Sequence, residues 1–425
     1  MSGSRRRGGT RLALSKGERV IAALDVGSSK VAALIALLTP GSEPRILGFG
    51  HQLCTGVRKG MVADMEATER AIRAAMDQAE KMAETTVDRV IVSMSSGGIS
   101  YQIHQVDVDI AGHQIERADI DRVLLEGRER IDPGGRTILH AIPAIYTIDG
   151  LTGVVNPLGF HAERLGVDIL VVSADTAPLR NLDLCVRQAH LDVQAIVASP
   201  LASGLACLEA EQRELGVALV EMGAGVTNVS VLARGMVVGM ACVAMGGSDI
   251  VDDIAAAFNT RRSHAERMLS LHGTLITTSR DNHDLVEVQP IREGGPASWI
   301  TKAQLSSVIR MRVEAILSEV AQRLDELGFR RAVGRSVVLT GGVADLNGIA
   351  HFATGVFGRE TKIATPRPLE GLPEAATGPA FSTLVGLVLH ELRQGQDIWR
   401  DARVSMNRIS RSPLERMIEI LRGSL

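Results

Sequence analysis

The stretch Leu24-Asp25-Val26-Gly27-Ser28-Ser29-Lys30 connects two apolar runs, residues 20–26 and 31–38, that have the composition of buried strands. Far downstream, Val220-Glu221-Met222-Gly223-Ala224-Gly225-Val226-Thr227 connects a second such pair. Each stretch predicts a strand, an acidic residue, a glycine turn and another strand. Glycine permits a tight turn and lets backbone N–H groups approach an anion closely. Two such hairpins facing each other would hold a polyphosphate from both sides.

An acidic residue stands before each turn, Asp25 in the first hairpin and Glu221 in the second. Such carboxylates can hold a phosphate-bound Mg²⁺, often through water, and Lys30 can add a positive charge. A third element, residues 337–343, is an apolar strand ending in Gly341-Gly342, where the backbone could approach a nucleoside. Taken singly, each element also fits an ordinary glycine turn. The Walker A pattern and a helix-opening GxGxxG are both absent from the sequence.

The composition indicates a globular α/β protein rather than a nucleic-acid-binding one. The chain has 425 residues, a formal net charge of −3 and 45% hydrophobic residues, which allows two to four domains with large cores. Near-neutral charge and 3% aromatic residues argue against phosphate-backbone or base-stacking recognition, so we expect no nucleic-acid partner. Apolar runs alternate with helical periods, as in α/β layers. The four scattered cysteines are typical of reduced thiols.

Several segments together resemble one family. They are ALDVGSSKVAALI at 23–35, GVRKGMVAD at 56–64, NPLG at 156–159, ASGLA at 202–206 before RELG at 213–216, VVLTGGVA at 337–344 and STLVGL at 382–387. From about residue 19 to residue 390, the chain resembles the FtsA family of bacterial actin-like cell-division proteins. That family lies within the superfamily of actin, Hsp70 and sugar-kinase ATPases.

The resemblance implies an α/β, actin-like ATPase fold. In this fold two duplicated ribonuclease-H-like halves surround a nucleotide cleft, with an inserted α+β subdomain. The implied boundaries are a basic tail at 1–17, the first half at 18–85, the inserted subdomain at 86–166, a return to the first half at 167–197, the second half at 198–245, a subdomain at 246–305, a return to the second half at 306–365, a closing helix region of the first half at 366–393, a linker at 394–412 and an amphipathic helix at 413–425.

The resemblance also implies ATP and Mg²⁺ as ligands and assigns residues to them. The first phosphate loop would be Asp25, Gly27, Ser28, Ser29 and Lys30, and the second would be Glu221, Gly223, Gly225 and Thr227. Asp25 and Glu221 would hold the metal, Gly341 and Gly342 would approach the adenosine, and Glu266 would lie near the adenine and ribose. Asp64 and Glu66 would lie where related ATPases orient a water molecule, so with Glu221 they are the candidate catalytic groups. For Glu266, an exposed helix carboxylate is the alternative.

The second hairpin departs from the family pattern, which has Asp-Ile-Gly-Gly-Gly-Thr followed by a further Asp. Glu221 replaces the first Asp and moves its charge by one methylene, and Asn228 replaces the second Asp and loses the charge. Val226 lacks a hydroxyl donor. Because a misplacement of about 1 Å can cost about 100-fold in rate, we expect nucleotide binding with weak or no ATP hydrolysis.

Residues 413–425 predict an amphipathic helix. Pro413 suits the first helical position. One apolar stripe is formed by Leu414, Met417, Ile418, Leu421 and Leu425. The arginine-rich residues 394–412 precede it and suit anionic headgroups at about 1 kcal/mol per arginine. This pattern favours binding at a membrane surface. Docking on the chain's own body or on a partner is the alternative.

The resemblance implies a filament on the cytoplasmic face of the cell inner membrane, at the division septum. It implies contact of Arg312 with the C-terminal tail of the tubulin-like protein FtsZ, and a solvated helix charge is the alternative for Arg312. Anionic lipids, further copies of the chain and later division proteins are the other implied partners. A filament would add avidity to weak individual tails.

Two other functions use the same fold. A sugar or small-molecule kinase needs a catalytic base beside an acceptor hydroxyl, and no carboxylate of the sequence is singled out for that task. An adaptor of another envelope machine, such as pilus assembly, is the second alternative. The C-terminal stripe and the GMVAD stretch at 60–64 favour division.

Overall fold

The computed structural model describes residues 15–96, 98–292, 295–329, 336–392 and 397–399. Internal contacts divide the chain into two compact units. Of the described residues, those from 15 to 99 and from 177 to 392 form the first unit, and those from 100 to 176 together with 397–399 form the second. The predicted amphipathic helix, with Leu414, Met417, Ile418, Leu421 and Leu425, lies outside the described residues.

The strands of the described part are, in chain order, β1 (Arg19–Val26), β2 (Lys30–Leu38), β3 (Arg45–Leu53), β4 (Val57–Arg58), β5 (Met61–Val62), β6 (Arg89–Met94), β7 (Ser100–Asp109), β8 (Thr137–Ile148), β9 (Leu151–Val154), β10 (Arg164–Ala174), β11 (Asp192–Ala198), β12 (Val217–Met222), β13 (Thr227–Ala233), β14 (Met236–Val243), β15 (Leu285–Val288), β16 (Ser298–Thr301), β17 (Ser336–Thr340) and β18 (Glu360–Ile363).

The helices of the same ranges are α1 (Met65–Ala83), α2 (Arg117–Arg130), α3 (Thr176–Gln188), α4 (Ser199–Cys207), α5 (Ala210–Leu215), α6 (Gly247–Ala257), α7 (Arg262–His272), α8 (Lys302–Glu326), α9 (Ile349–Phe357) and α10 (Ser382–Glu391). Short 3₁₀ turns occur at Ser279–Asn282, Gly342–Asp345, Glu374–Ala376 and Pro379–Phe381. None of these described helices combines the length and the apolar character that a membrane span requires.

Two five-stranded sheets of the first unit share one topology. Their strand orders are β11-β6-β1-β2-β3 and β18-β17-β12-β13-β14. In each sheet, the central strand pairs antiparallel with the next strand of the chain and parallel with the strand on its other side. The two glycine hairpins are therefore equivalent elements of duplicated halves, as the sequence predicts.

Buried apolar faces explain why these segments form the observed elements. All residues of β2 after Lys30 are buried, as expected for a strand covered on both faces. α8 buries one apolar stripe in the core of the second sheet, consisting of Leu305, Ile309, Val313, Ile316, Val320 and Leu324. α1 begins after Asp64, whose side chain accepts a hydrogen bond from the Ala67 N–H group and caps the helix.

The second unit is an antiparallel sheet, β7-β10-β8-β9, with α2 packed on it. Its strands and helix span residues 100–174, whereas the resemblance implies an insert at 86–166. The difference has a simple cause at each end. β6 pairs with β1 and β11 and belongs to the first sheet, while β10 pairs with β7 and β8 and belongs to the insert.

Helices α4 and α10 pack backbone to backbone in the first unit. Gly386, in the middle of α10, faces α4 so closely that a Cβ atom built on it would overlap the Ala202 carbonyl group and lie 2.9 Å from the Ala202 Cα atom. Both helices contribute to the core cluster that contains β1 and β2. Glycine at this position therefore sets the spacing between the two helices.

We expect Gly386→Ala to destabilise the first unit by about 1–3 kcal/mol, because the added methyl group forces α4 and α10 apart. Gly355→Ala is the matched control. Gly355 also lies inside a helix, α9, but an added Cβ there meets no atom within 4 Å beyond its own helix. The control should gain up to about 1 kcal/mol from helix propensity. Urea unfolding followed by circular dichroism measures both changes, and equal stabilities would contradict the packing.

Candidate functional site

The first hairpin turns at residues 27–30, between β1 and β2. The Gly27 N–H group donates to the Lys30 carbonyl oxygen at 3.0 Å and closes the turn. The Cys54 N–H group donates to the Ser29 carbonyl oxygen at 2.9 Å. Within the described ranges, the N–H groups of Ser28 and Ser29 donate to no protein acceptor. The tip of the turn therefore has two adjacent amides that are available to a ligand.

The second hairpin has the same features. The Gly223 N–H group closes its turn on the carbonyl group three residues later, at 2.9 Å. The start of α6 supports the turn, because Gly247 N–H donates to the Gly223 carbonyl oxygen and Ser248 N–H donates to that of Ala224. The amides of Ala224 and Gly225 find no acceptor among the described residues.

The tips of the two hairpins touch. A Cβ atom built on Gly225 would lie 2.8 Å from the Ser28 Cβ atom and 3.0 Å from the Lys59 backbone nitrogen. The Ser28 hydroxyl oxygen accepts a hydrogen bond from the Gly60 N–H group at 3.0 Å. Glycine is thus the residue that allows this approach at position 225.

The turn between β4 and β5 links the first half to the second hairpin. Lys59 Nζ donates to the Ala244 carbonyl oxygen at 2.7 Å and to Asp249 Oδ1 at 2.6 Å. Asp249 Oδ2 also accepts from the Gly246 N–H group at 2.7 Å, at the start of α6. Lys59 therefore holds the helix that supports the second turn.

Asp25 lies in β1 just before the first turn and is partly buried. β6 runs parallel to β1 with Leu24 opposite Val92, so Ser93 comes beside Asp25. The Ser93 hydroxyl group donates to Asp25 Oδ1 at 2.5 Å. Removal from water raises the pKa of Asp25, and the Ser93 hydrogen bond and the Lys30 charge oppose this rise.

Glu221 occupies the equivalent position in β12. The Thr383 hydroxyl group donates to Glu221 Oε1, and Asn228 Nδ2 donates to Oε2 at 3.4 Å. Removal from water raises the pKa of Glu221 to about 7, and the nearby charge of Asp25 acts in the same direction. The hydrogen bond from Thr383 opposes the rise.

Lys30, the first residue of β2, is the cation that these acids influence electrostatically. Its Nζ atom donates to the Ala380 carbonyl oxygen at 2.9 Å and lies 4.3 Å from the centroid of the Phe381 ring. Burial lowers the pKa of Lys30. Three carboxylates oppose that effect: Asp25, Asp345 and Glu221. The ammonium group thus offsets only part of the negative charge of the site.

The third glycine element reaches the same place. Gly341 has φ 87° and donates its N–H group to the Pro379 carbonyl oxygen at 3.1 Å. A Cβ atom on Gly341 would lie 2.5 Å from the Met222 carbonyl oxygen. Gly342 follows, near the Ala380 side chain. The structure therefore brings together all three glycine elements singled out in the sequence.

The donors and acceptors of the site fit an anion bound together with a hard cation. Four amides at the two tips are available to an anion, as in other backbone anion sites. Asn228 Oδ1 is buried and accepts no hydrogen bond from the described residues. A cation would favour the ionised forms of Asp25 and Glu221. The described residues contain no group of three or more His, Cys, Asp or Glu side chains arranged for a metal, so Mg²⁺ would depend on ligand oxygens and water.

Three predicted residues of the site make other contacts. Asp64 caps α1 through a 3.0 Å hydrogen bond from the Ala67 N–H group. Glu66 is exposed and forms an ion pair with Arg70 on the same helix. Thr227 is buried, and its hydroxyl group donates to the Met245 carbonyl oxygen at 2.9 Å. No hydrogen bond of the described part joins Asp64 or Glu66 to either hairpin, and their catalytic role stays a prediction.

Glu266 and Arg312 each form an intramolecular ion pair. Glu266 lies on α7, exposes just over half of its side chain and pairs with Arg262 at 3.4 Å. Arg312 lies on α8 and donates from Nε and Nη2 to the two carboxylate oxygens of Asp253, at 2.7 and 2.8 Å. These hydrogen bonds raise the pKa of Arg312. The predicted nucleotide and partner contacts of the two residues stay predictions.

Sequence reasoning missed three residues that organise the site: Ser93, Thr383 and Lys59. Ser93 has a weak signal, because it places a hydroxyl group inside an apolar strand. Thr383 stands 162 positions from Glu221, and Lys59 stands 190 positions from Asp249. Contacts at such separations leave no local pattern, so the fold is needed to find them.

The sequence is similar to those of known proteins. The sequence profile described as "Cell division protein FtsA" matches residues 218–386, and the one described as "SHS2 domain inserted in FTSA" matches residues 96–173. The Cell division protein FtsA of Agrobacterium fabrum is 38% identical over 388 residues, which cover 88% of each chain. That of Escherichia coli is 29% identical over 377 residues, which cover 87% of this chain and 90% of the relative.

Solved structures are similar in fold. The PilM-PilN type IV pilus biogenesis complex matches with a TM-score of 0.61 and 17% identity, covering 88% of this chain and 98% of that one. MreB 5 of Spiroplasma citri bound to AMPPNP matches with a TM-score of 0.51 and 15% identity, covering 88% and 96%. The fold, with its duplicated halves and insert, is that of the actin-like ATPase superfamily. Within it, the chain belongs to the family of cell division protein FtsA.

We expect Glu221→Gln to flatten the pH dependence of stability. Folding raises the pKa of Glu221, so the folded state favours the protonated acid. The stability that this contributes is fully present below the pKa of the unfolded state, near 4.5, and it is lost as the pH rises through about 7. At pH 8 the variant should therefore be more stable than the parent by up to about 3 kcal/mol, with little difference at pH 4.5. Gln keeps an acceptor for Thr383, and its amide can donate to the unpaired Asn228 Oδ1.

Urea unfolding between pH 4.5 and pH 8 measures this difference. Glu314→Gln is the matched control, because Glu314 is exposed on α8. The control should follow the parent at each pH. A constant offset between Glu221→Gln and the parent across this range would show that Glu221 does not titrate as its surroundings indicate.

Proposed function

We propose that this site binds ATP together with Mg²⁺. The observation that carries the proposal is the meeting of two glycine turns, each with two available amides and each preceded by a carboxylate. The amides of Ser28, Ser29, Ala224 and Gly225 would bind phosphate oxygens. Gly341, followed by Gly342, would let the backbone approach the nucleoside.

Asp25 and Glu221 would hold the cation directly or through water, and Asn228 Oδ1 would add a neutral oxygen. Mg²⁺ would supply charge neutralisation for the phosphates. Lys30 would add positive charge to the same site. Glu266, although exposed here, stays a candidate for the adenine and ribose contact.

We infer that hydrolysis is slow. Glu221 requires about pH 7 to ionise without a cation, and Asn228 has no charge. Asp64 is engaged as a helix cap, and Glu66 is paired with Arg70. A water-orienting role for either residue would require a rearrangement of these contacts. The expected activity is therefore nucleotide binding with little turnover.

Asp25→Asn tests the cation contact. With Mg²⁺, we expect the variant to bind ATP at least about tenfold more weakly, a loss of about 1.4 kcal/mol. In EDTA it should bind at least as tightly as the parent, because a negative charge beside the phosphates is gone. Isothermal titration calorimetry measures both affinities. Asn can still accept the Ser93 hydrogen bond, so the fold should persist.

Asp77→Asn, on the exposed side of α1, is the surface control and should leave both affinities unchanged. Loss of ATP binding by the same factor with and without Mg²⁺ would argue against a cation at Asp25. A phosphate-release assay on the parent protein should give turnover at least about 100-fold below 1 s⁻¹. Brisk turnover would overturn the expectation of a weak ATPase.

We further infer a role in cell division. The protein would form filaments on the cytoplasmic face of the inner membrane, at the septum, and attach FtsZ to it. Similarity to FtsA proteins over 88% of the chain supports this role. The apolar stripe in residues 413–425 would enter the membrane surface, and the arginine-rich residues before it would attract anionic lipids. Arg312, on α8, would meet the C-terminal tail of FtsZ, and later division proteins would join the assembly.

Vesicle sedimentation separates the membrane contact from the partner contact. With ATP and anionic phosphatidylglycerol vesicles, we expect the full chain to sediment and to carry a fluorescent peptide of the FtsZ C-terminal tail. A chain ending at residue 412 should still bind the peptide but stay in the supernatant, because the stripe is gone. Arg312→Ala should sediment without the peptide, since the guanidinium contact is lost.

Arg180→Ala, an exposed arginine on α3, is the matched control and should sediment with the peptide. Neutral phosphatidylcholine vesicles control for lipid charge and should bind the full chain much less. Unchanged sedimentation of the shortened chain would refute the membrane role of residues 413–425. Unchanged peptide binding by Arg312→Ala would refute the partner role of that residue.

A further inference from the structure

One edge of the inserted sheet receives a segment from the far end of the chain. β8 pairs along its length with β10 on one side. On the other side β9 pairs only with Tyr146–Ile148. No strand of the described part pairs with residues 137–145 on that side. This is the position at which Asp397, Ile398 and Trp399 contact β8.

Ala141 is the centre of the backbone contact. The Ile398 N–H group donates to the Ala141 carbonyl oxygen at 2.9 Å. The Ala141 N–H group donates to Asp397 Oδ1 at 2.9 Å, so the carboxylate takes the place of a strand carbonyl. The Trp399 N–H group also donates to Asp397 Oδ1, at 3.0 Å. Both backbone groups of Ala141 are thus satisfied by this segment.

His140 completes the recognition of the carboxylate. His140 Nδ1 lies 2.8 Å from Asp397 Oδ2, and the two side chains are only 2% and 10% exposed. Burial alone would raise the pKa of Asp397, but hydrogen bonds from His140, Ala141 and Trp399 lower it. The carboxylate is therefore ionised and fully hydrogen-bonded, which is the condition for a stable buried charge.

The two residues after Asp397 add apolar contact. Ile398 and Trp399 pack against the hydrophobic core of the insert, which includes Val106, Ile138 and Val171. The insert thus contacts all three residues of the segment: His140 and Ala141 bind the carboxylate of Asp397, and the apolar core contacts Ile398 and Trp399. Addition of an extended segment to a sheet edge, with side chains in pockets, is a common mode of peptide recognition.

We propose that this edge of β8 is a peptide-docking site whose ligand is the chain's own segment Asp397–Trp399, and that it anchors the C-terminal region to the insert. Any element after residue 399 then starts from a fixed point on the insert rather than from the end of α10. For a membrane-binding role of residues 413–425, which rests on the proposed function, the insert would set where the tail begins.

Tryptophan fluorescence tests the anchor directly. The chain has two tryptophans, and Trp299 on β16 is 60% exposed. Trp299→Phe leaves Trp399 as the reporter in the full-length protein. In this parent, acrylamide should quench Trp399 less than free N-acetyltryptophanamide. Adding Asp397→Ala should raise the quenching constant by about twofold and shift the emission to the red, because the indole leaves the apolar surface.

Asp121→Ala in the same parent is the matched control, since Asp121 is an exposed acid on α2 of the insert. It should leave quenching and emission unchanged. Circular dichroism should show that Asp397→Ala retains its secondary structure, and a second variant, Ile398→Ser, should release Trp399 in the same way. The anchor would be overturned if the quenching constant of Trp399 in the parent already equalled that of free N-acetyltryptophanamide. It would also be overturned if neither variant changed that constant.

Sedimentation of the same variants with anionic vesicles keeps the two proposals distinguishable. If the Trp299→Phe parent does not bind vesicles but Asp397→Ala still exposes Trp399, the membrane role fails and the anchor stands. If the parent binds vesicles while Trp399 behaves as a free indole, the anchor fails and the membrane role stands.

Discussion

The contact of Gly225 with Ser28 and with the Lys59 backbone is the constraint on which the site depends. It brings together the tips of two hairpins that start from different sheets, and a Cβ atom at position 225 would separate them. Because hairpin tips are rigidly continued by buried strands, a shift at this contact would move Asp25 and Glu221 with them. The Lys59 contact with Asp249 stabilises the same contact between the hairpins, because it joins the turn between β4 and β5 to α6. Glycine is therefore required at this point for geometry more than for flexibility.

The same approach creates an electrostatic cost. Asp25 and Glu221 are both partly buried. Removal from water raises the pKa of each, and it also raises the pKa of the more exposed Asp345. Lys30 is a single positive charge among them, and its own burial lowers its pKa. The protein alone thus leaves negative charge incompletely balanced. A bound cation would remove this imbalance, and phosphates would then meet available amides rather than bare carboxylates.

The sequence was sufficient to predict the duplicated hairpins, because an apolar run of a strand that is buried on both faces is a local pattern. The sequence was insufficient where the pairing of distant segments decides to which sheet a strand belongs or which side chains meet. β10 has the apolar character of a strand of the first sheet, yet its pairing with β7 and β8 puts it in the insert. The side chains that hold the two acids, Ser93 and Thr383, come from the parallel neighbour β6 and from α10. The spacing of residues in the sequence does not predict such contacts, because they depend on strand register and helix packing.

Asn228 determines part of the chemistry of the second hairpin. Glu221 is long enough to reach the Thr383 hydroxyl group, and Asn228 stands opposite it in the strand pair. An aspartate at 228 would add a further charge to a region where Glu221 already requires about pH 7 to ionise. An amide has both a donor and an acceptor, so it can serve Glu221 in either protonation state. Its unpaired oxygen then remains for a cation or for the protonated acid. Compared with an aspartate, Asn228 therefore lowers the electrostatic cost of bringing the two hairpins together. Under the proposed function, the lack of a charge at this position is consistent with slow hydrolysis.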